Sequence, residues 1–242
     1  MEHKYLHEVL PFLEEAERER REQFEEYFRT APLWILDSLQ VEKLPPGTIF
    51  VRENEPANMV YFVGTGIVKA TDYRVSGVAY DFMKPSNMIA FGGMEVIMEI
   101  PDYQTTLQTE TECTIVKVPR AKFERWIYSD VEAFRLEVKL TSYSLLDEVR
   151  RNRLYLFLQG TDRISLLLVD LYEKHGKNGL LRLKESRQSI ADETGICLKS
   201  VSRAVKKLTQ DGLITKDGNQ ILVNERQYKQ LKHIVNEKID RA

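Results

Sequence analysis

Lys199, Ser202, Arg203 and Lys206 recur three and four residues apart inside the run SRQSIADETGICLKSVSRAVKKL, Ser186 to Leu208. On a helix that spacing lines them along one face. Guanidinium and ammonium groups arrayed in this way can grip guanine O6 and N7 in a major groove and neutralise the phosphates beside it. Arg187, Ser200 and Lys216 complete the set of residues expected to touch DNA. This is the chemistry of recognition, and no catalytic residue is expected.

Something must hold such a face outward. Ile190 and Ala191 fit the inner side of a first helix, Gly195 a sharp turn, and Val201, Val205 and Leu208 the inner side of a second, at i, i+4, i+7. Ala191, Gly195 and Val201 stand where a helix-turn-helix needs a small residue, a turn and a β-branched residue packing back. A merely solvated amphipathic helix would show the same stripe, so the residues after Leu208 carry the distinction. In TQDGLITKDGNQILV, Leu213 and Ile214 begin an extended run, Asp217-Gly218 is a two-residue hairpin signal, and Ile221 to Val223 resume the run. Two helices and a hairpin predict a winged helix. From Ile196 to Lys216, five bases (Lys199, Arg203, Lys206, Lys207, Lys216) stand against Asp211, although the whole chain carries a formal charge of −2. Charge separated in this way marks one segment for a polyanion.

The 242 residues suffice for two modest domains, and 43% hydrophobic with 30% charged residues is the composition of an ordinary soluble protein. No apolar run approaches the roughly 20 residues of a membrane span, and the charged N-terminal stretch is unlike a secretion signal. A cytoplasmic protein with no membrane partner is expected. Cys113 and Cys197 fall in different predicted domains, which leaves no disulfide framework and no four-cysteine metal or iron–sulfur site in one chain. His3 and His7 are four residues apart but lack a carboxylate–histidine pattern; with His175 and His233 they read as surface residues, and no metal site is expected.

Ahead of the winged helix the pattern changes three times. Residues 2–29 read as helix, with Leu6, Leu10 and Leu13 as a stripe and Phe24 and Phe28 beneath the charged run EEAERERREQFEEYF; Pro32 ends it, and APLWILDSL comes next as a short helix. From Leu39 to about Pro119 there are short extended runs: Thr48 to Val51, Met59 to Val63, Ile67 to Thr71, Val78 to Phe82 and Cys113 to Val118. Pro46-Gly47, Asn54, Gly64, Gly66, Ser76-Gly77 and Pro85 separate them. Short strands at near-regular spacing predict an antiparallel β-roll enclosing a small cavity.

Between Val131 and Leu158 the period is helical, with Phe134, Val138, Thr141, Leu145 and Val149 on one stripe and Leu136, Leu140, Tyr143 and Leu146 on another. Two stripes on one long helix need two burial partners, the roll and a second copy of the helix in a symmetric dimer. A monomer with this helix buried is the alternative. Gly160 breaks the helix near a hinge at Leu158 to Thr161. The expected class is α+β. An N-terminal helical segment (1–38) precedes a β-roll sensor domain (39–130, a cupin-like double-stranded β-helix), a dimerisation helix and hinge (131–159) and a winged helix-turn-helix domain (160–242).

That order of parts resembles the Crp/Fnr family of bacterial transcription regulators, over residues 40–225. GTIFVRENEPANMVYFVGTGIVKA is similar to the family's roll signature, with Asn54 where glycine is usual, an exchange that left-handed turn geometry tolerates. FLQGTDRISLLLVDL is similar to the family's link into the DNA-binding domain, and TGICLKSVSRAVKKLTQDGLI to its recognition helix. The resemblance implies a homodimer joined through residues 131–158 on a two-fold symmetric duplex operator, with RNA polymerase a further partner of an activator.

The resemblance also implies an effector held by the roll. Cyclic-AMP-binding members carry glycine-glutamate for the ribose and arginine-serine for the phosphate. The matching segment FGGMEVIMEIPDYQTTLQ puts Gly93 at the glutamate and Tyr103-Gln104 at the arginine-serine, while Glu148-Val149 stands at the adenine-contacting threonine-serine. A buried phosphate without a cation is costly, so the expected effector is a small molecule other than cAMP. The cysteine cluster of oxygen-sensing members and the roll histidine of haem-binding members are lacking, so neither iron–sulfur cluster nor haem is expected. The remaining candidate pocket comprises Met88, Ile89, Phe91, Gly92, Gly93, Met94, Ile97, Met98, Tyr103, Gln104, Leu145, Glu148 and Val149. It suits an apolar or aromatic molecule held by one polar contact; the same side chains would equally fill the roll of a regulator with no effector.

In the recognition helix Leu198-Lys199 replaces the arginine-glutamate of the best-known members. That removes the acceptor for cytosine N4, while Arg203 still reads guanine, so a different operator is expected. A cyclic-nucleotide-responsive signalling module without DNA function is the alternative reading. A cupin-type metal enzyme fares worst, because no histidine lies between Leu39 and Pro119.

Overall fold

The computed structural model describes residues 2–73, 79–83 and 88–239. The chain divides into two compact units, residues 1–72 with 81–147 and residues 73–80 with 148–242. The division falls inside the long helix, between Asp147 and Glu148, rather than at the hinge expected near Leu158 to Thr161.

In the first unit the N-terminal segment is not one helix. α1 (Glu2–Val9) stops before Pro11, which opens a 3-10 turn (Pro11–Glu14), and α2 (Arg18–Tyr27) starts afresh. Proline lacks the amide hydrogen of the helical ladder and its ring clashes with the preceding turn, so the expected 2–29 helix is broken despite its intact stripe. Leu6, Leu10, Leu13, Phe24 and Phe28 are all buried. His7 is half-buried rather than a surface residue: its Nδ1 lies 2.7 Å from Glu14 and its Nε2 2.9 Å from Glu25, stitching α1, the turn and α2 together. A single turn, α3 (Leu33–Leu36), leads into the strands.

These are β1 (Gln40–Leu44), β2 (Ile49–Val51), β3 (Met59–Thr65), β4 (Val68–Tyr73), β5 (Ala79–Met83), then after α4 (Gly93–Ile97), β6 (Thr106–Thr109) and β7 (Cys113–Pro119). Two sheets form, ordered β1-β7-β3 and β2-β6-β4-β5. β3 and β7 pair antiparallel with Phe62 opposite Val116 and Val60 opposite Val118. These four residues join a core with the N-terminal helices and with Phe123 and Trp126 of α5 (Arg120–Ser129). The alternate residues Val63, Cys113 and Ile115 join Val51, Val68, Ala70 and Leu107 in a second cluster. A strand buried on both faces reads as a near-continuous apolar run, which is why these two stood out in the sequence. β1, largely exposed, and β6 lie within the expected extended region but were not delimited there as separate strands. Asn54 takes φ 64°, the left-handed conformation expected of it. The Ser76-Gly77 turn and Pro85 lie outside the described residues.

α6 (Val131–Phe157) begins where Asp130 accepts the Glu132 and Ala133 amides at 3.0 and 3.1 Å. Ala133 and Glu137 are buried, and Phe134, Leu136 and Leu140 pack on the first core. Farther along, Tyr143, Leu145, Leu146 and Val149 are exposed.

The second unit contains α7 (Gly160–His175), β8 (Leu180–Leu183), α8 (Arg187–Thr194), α9 (Leu198–Gln210), β9 (Thr215–Asp217), β10 (Gln220–Asn224) and α10 (Glu225–Ile239). The strands make one antiparallel sheet, β8-β10-β9. Ile164, Leu168, Leu181, Ile190, Val205, Ile221 and Leu231 draw these elements around one core. Neither β8 nor α10 was evident from the sequence; α10 docks on α7, with Tyr228 stacked 4.3 Å from Tyr172 and Lys232 2.6 Å from Glu173. Among the described residues no helix is long and apolar enough to cross a membrane.

Candidate nucleic-acid interface

α8 starts at Ser186, whose hydroxyl oxygen accepts the Ser189 amide at 3.0 Å, and ends at Gly195 with φ 65° and ψ 27°. That left-handed turn is close to free for glycine and costly for a side chain. The Gly195 and Ile196 amides both donate to Ala191 O, and the Thr194 hydroxyl to Ile190 O, closing the turn tightly. Val201, Ala204, Val205 and Leu208 of α9 are at most 4% exposed, as is Ala191 beneath them. With this seam buried, the helix can only turn Lys199, Ser202, Arg203 and Lys206 into solvent, and all four are exposed.

The sequence of α9, LKSVSRAVKKLTQ, holds four basic residues and no acidic one. Ser202 donates its hydroxyl hydrogen back to Leu198 O at 3.0 Å, which leaves its oxygen as an acceptor. Ser200 is half-buried and sits 3.2 Å from the exposed Cys197 thiol, which its hydroxyl holds below the usual thiol range. Arg187 is partly buried at the start of α8, and that burial lowers the pKa of its guanidinium. Lys216 projects from β9, exposed. The wing's tip differs by one residue from expectation. Asp217 pairs with Gln220, so the loop is Gly218-Asn219, with Gly218 at φ 56°, the sign a two-residue hairpin loop needs.

Leu198, outside the expected contact set, lies at the edge between this face and the seam. It is 46% exposed at the first position of α9, the one aliphatic residue of that helix left in water. Three residues before Val201, it continues the spacing of the buried seam, so its exposure could not be read from the sequence.

The candidate effector residues are distributed differently. Met88 is buried in the core with the N-terminal helices, whereas Phe91 and Tyr103, with Ile89 at the edge, belong to the other roll cluster. Tyr103 donates its hydroxyl hydrogen to Met59 O at 2.7 Å, and burial pushes its phenol up. The backbone amide of Gln104 donates to Glu95 Oε1 at 3.2 Å while its side chain is exposed. Gly92 and Gly93 are buried where α4 begins, Met94 and Ile97 are half-buried, and Met98 is exposed. Leu145 and Val149 are exposed on α6, and the Glu148 side chain lies outside the described residues. Buried Glu95 and Glu137 were not anticipated; nothing in their local sequence sets them apart from solvated glutamates.

Comparison with known proteins gives the same two parts. Residues 41–130 match the model of the cyclic nucleotide-binding domain, and residues 162–231 match the Crp-like helix-turn-helix domain. The CRP-like protein Clp of Xanthomonas campestris is 25% identical over 194 residues, covering 75% of this chain and 82% of Clp. The transcriptional activator protein Anr of Pseudomonas aeruginosa is 23% identical over 184 residues, covering 74% of each chain. The solved structure of the Xanthomonas regulator, described as c-di-GMP-responsive, superposes with a TM-score of 0.71 at 22% identity, spanning 84% of this chain and 98% of that one. A Crp/Fnr-family regulator from Eubacterium rectale gives 0.72 at 14% identity over 93% of this chain and 99% of the other. With a roll of the nucleotide-binding type in one unit and a DNA-reading helix pair in the other, the chain belongs to the Crp/Fnr family of DNA-binding transcription regulators.

Proposed function

We propose that the protein works in the cytoplasm as a homodimer, joined along residues 131–158, that reads a two-fold symmetric operator with one α9 per half-site and answers to a small molecule other than cAMP. The observation that carries the reading is the division of α9 between a fully buried aliphatic seam and an exposed face bearing Lys199, Arg203 and Lys206. Arg203 is assigned to a guanine edge; Lys199, Lys206 and Lys216 to phosphates or neighbouring bases, with Arg187 and the two serines as flanking contacts. Tyr143, Leu145, Leu146 and Val149, exposed on one long helix, support self-association there.

The effector reading rests on the roll. Tyr103 occupies the position matched to the phosphate-binding arginine and is tied to the Met59 backbone. The nearby Arg120 guanidinium is committed to the carbonyls of Ala57, Ile100 and Glu95. A cyclic dinucleotide enters as a second candidate because the related Xanthomonas regulator is described as responsive to c-di-GMP.

The test is selection of duplexes from random-sequence DNA by the full chain, then titration and sedimentation of the protein alone. A symmetric enriched site bound by a dimer supports the reading; an asymmetric site or a monomer overturns it. A thermal-shift series with cAMP, c-di-GMP and aromatic acids then ranks effectors, since a ligand at 100 times its Kd stabilises the fold by about 2.7 kcal/mol.

A further inference from the structure

We propose that Arg163 is a positioning residue that fixes the heading of the DNA-reading helices against the end of α6, and so sets the half-site spacing that the protein accepts. The inference rests on the dimeric reading given above.

Arg163 lies in the first turn of α7 and touches two helix ends at once. Its Nε donates to Leu158 O at 3.1 Å, one residue past α6, and its Nη1 donates to Thr194 O at 3.3 Å, the last residue of α8. Carbonyls at a helix C-terminus have no intrahelical donor and carry the negative end of the helix dipole. A planar guanidinium can serve two such carbonyls in fixed directions, which an ammonium cannot.

The surroundings make the bridge stiff. Leu158 is buried with Leu166 and Val235, so its carbonyl is presented by a packed segment and not by a frayed end. Beside the bridge, Gly160 faces the turn between α8 and α9: a Cβ there would lie 3.7 Å from Ile196 Cδ1. Thr194 precedes Gly195 directly, and the buried Ile190, Ala191, Val201 and Val205 lock α8 to α9. Whatever angle α8 takes to the end of α6, α9 must take as well. Two copies of that angle decide how far apart two recognition helices meet one duplex.

The experiment uses the full chain and, as probe, the duplex it enriches from random-sequence DNA. That duplex is compared with versions carrying one base pair more or one fewer at the centre and with a single half-site. The wild type should prefer its own spacing by at least about tenfold. Arg163→Ala should bind the single half-site as the wild type does, bind the enriched duplex about tenfold more weakly, and discriminate less than about threefold among spacings. Arg163→Lys should recover part of the discrimination. An Arg163→Ala protein that keeps the wild-type spacing profile, or that loses the half-site along with everything else, overturns the role. Should that variant melt below the assay temperature, the same profile measured on Arg163→Lys and Arg163→Gln decides. A wild type that enriches no symmetric duplex defeats the proposed function itself, and this inference with it; an unaltered profile in the variants defeats only the role of Arg163.

Discussion

Tyr27 of α2 donates its hydroxyl hydrogen to Glu137 of α6 at 2.6 Å, and both side chains are buried, at 3% and 1% exposure. Thr141, one turn farther along α6, donates to the other carboxylate oxygen at 3.1 Å. Gly93, at the start of α4, lies so close that a Cβ there would overlap the carboxylate. Burial pushes the Glu137 carboxyl up to about 7; the two hydroxyl donors pull it down and the neighbouring Glu95 pushes it further up. The folded protein therefore keeps a proton that the unfolded chain gives up near the ordinary value of 4.5. Stability is fullest below that value, falls as pH rises toward 7, and levels off above it. Glu137→Gln should flatten this slope, which is worth roughly 3 kcal/mol by linkage. Denaturant unfolding from pH 5 to pH 8 measures it, and a slope unaltered in the variant counts against the assignment.

His7 stands between Glu14 and Glu25, one on each ring nitrogen. Both contacts are best served by the imidazolium, and the hydrogen bond to Glu14, then that to Glu25, raises its pKa. The stabilisation is complete below the ordinary value of 6.5 and fades as pH rises through the raised one. Protection of the α1 amides, taken relative to their intrinsic exchange rate at each pH, should fall above that pH, and His7→Gln should show the lower protection throughout. Identical protection in variant and wild type would remove His7 from this role.

On α9 the two kinds of cation should separate. Arg203→Ala should cost about 1–3 kcal/mol on the preferred operator and relax selectivity at one base pair, whereas Lys206→Ala should weaken all sequences alike and lower the salt slope by about 1. Titrations on matched and mismatched duplexes at several salt concentrations distinguish them; identical behaviour of the two variants contradicts the assigned roles.

Leu198 offers the interface an apolar contact, and the C5-methyl group of thymine is the apolar feature of a major-groove edge. Replacing thymines of the enriched operator one at a time by deoxyuridine removes only that methyl. One position per half-site should lose about fourfold in affinity, and Leu198→Ala should be indifferent to the change. Equal sensitivity of variant and wild type would place Leu198 outside the groove.

The reading head was the most legible part of the chain. Its information is local: a 3.6-residue stripe, a turn glycine, a hairpin signal and a charge excess lie within about 40 residues. β3 and β7, buried on both faces, stood out as strands, and the three-residue β2 was marked by the Pro46-Gly47 turn before it; β1 and β6 fell within the extended region without being delimited as strands of their own. The break at Pro11 was visible but overridden by the intact leucine stripe around it. Met88 and Phe91 are three residues apart, and the sequence does not say that the first is buried with the N-terminal helices and the second in the other roll cluster. The contacts that a local reading cannot reach are the distant polar ones. Tyr27 and Glu137 are 110 residues apart, and Arg163 meets Thr194 through a backbone carbonyl that any residue would supply.

Methylation protection by dimethyl sulfate reports on the groove contact itself, because the reagent attacks guanine N7 in the major groove, the atom assigned to Arg203. On the enriched duplex, guanines in two major-groove patches about one helical turn apart should be shielded by the wild-type chain, and Arg203→Ala should re-expose one guanine in each patch while the protein stays bound. Protection confined to a single patch would rule out two heads on one duplex, and a pattern that Arg203→Ala leaves unchanged would place Arg203 outside the groove.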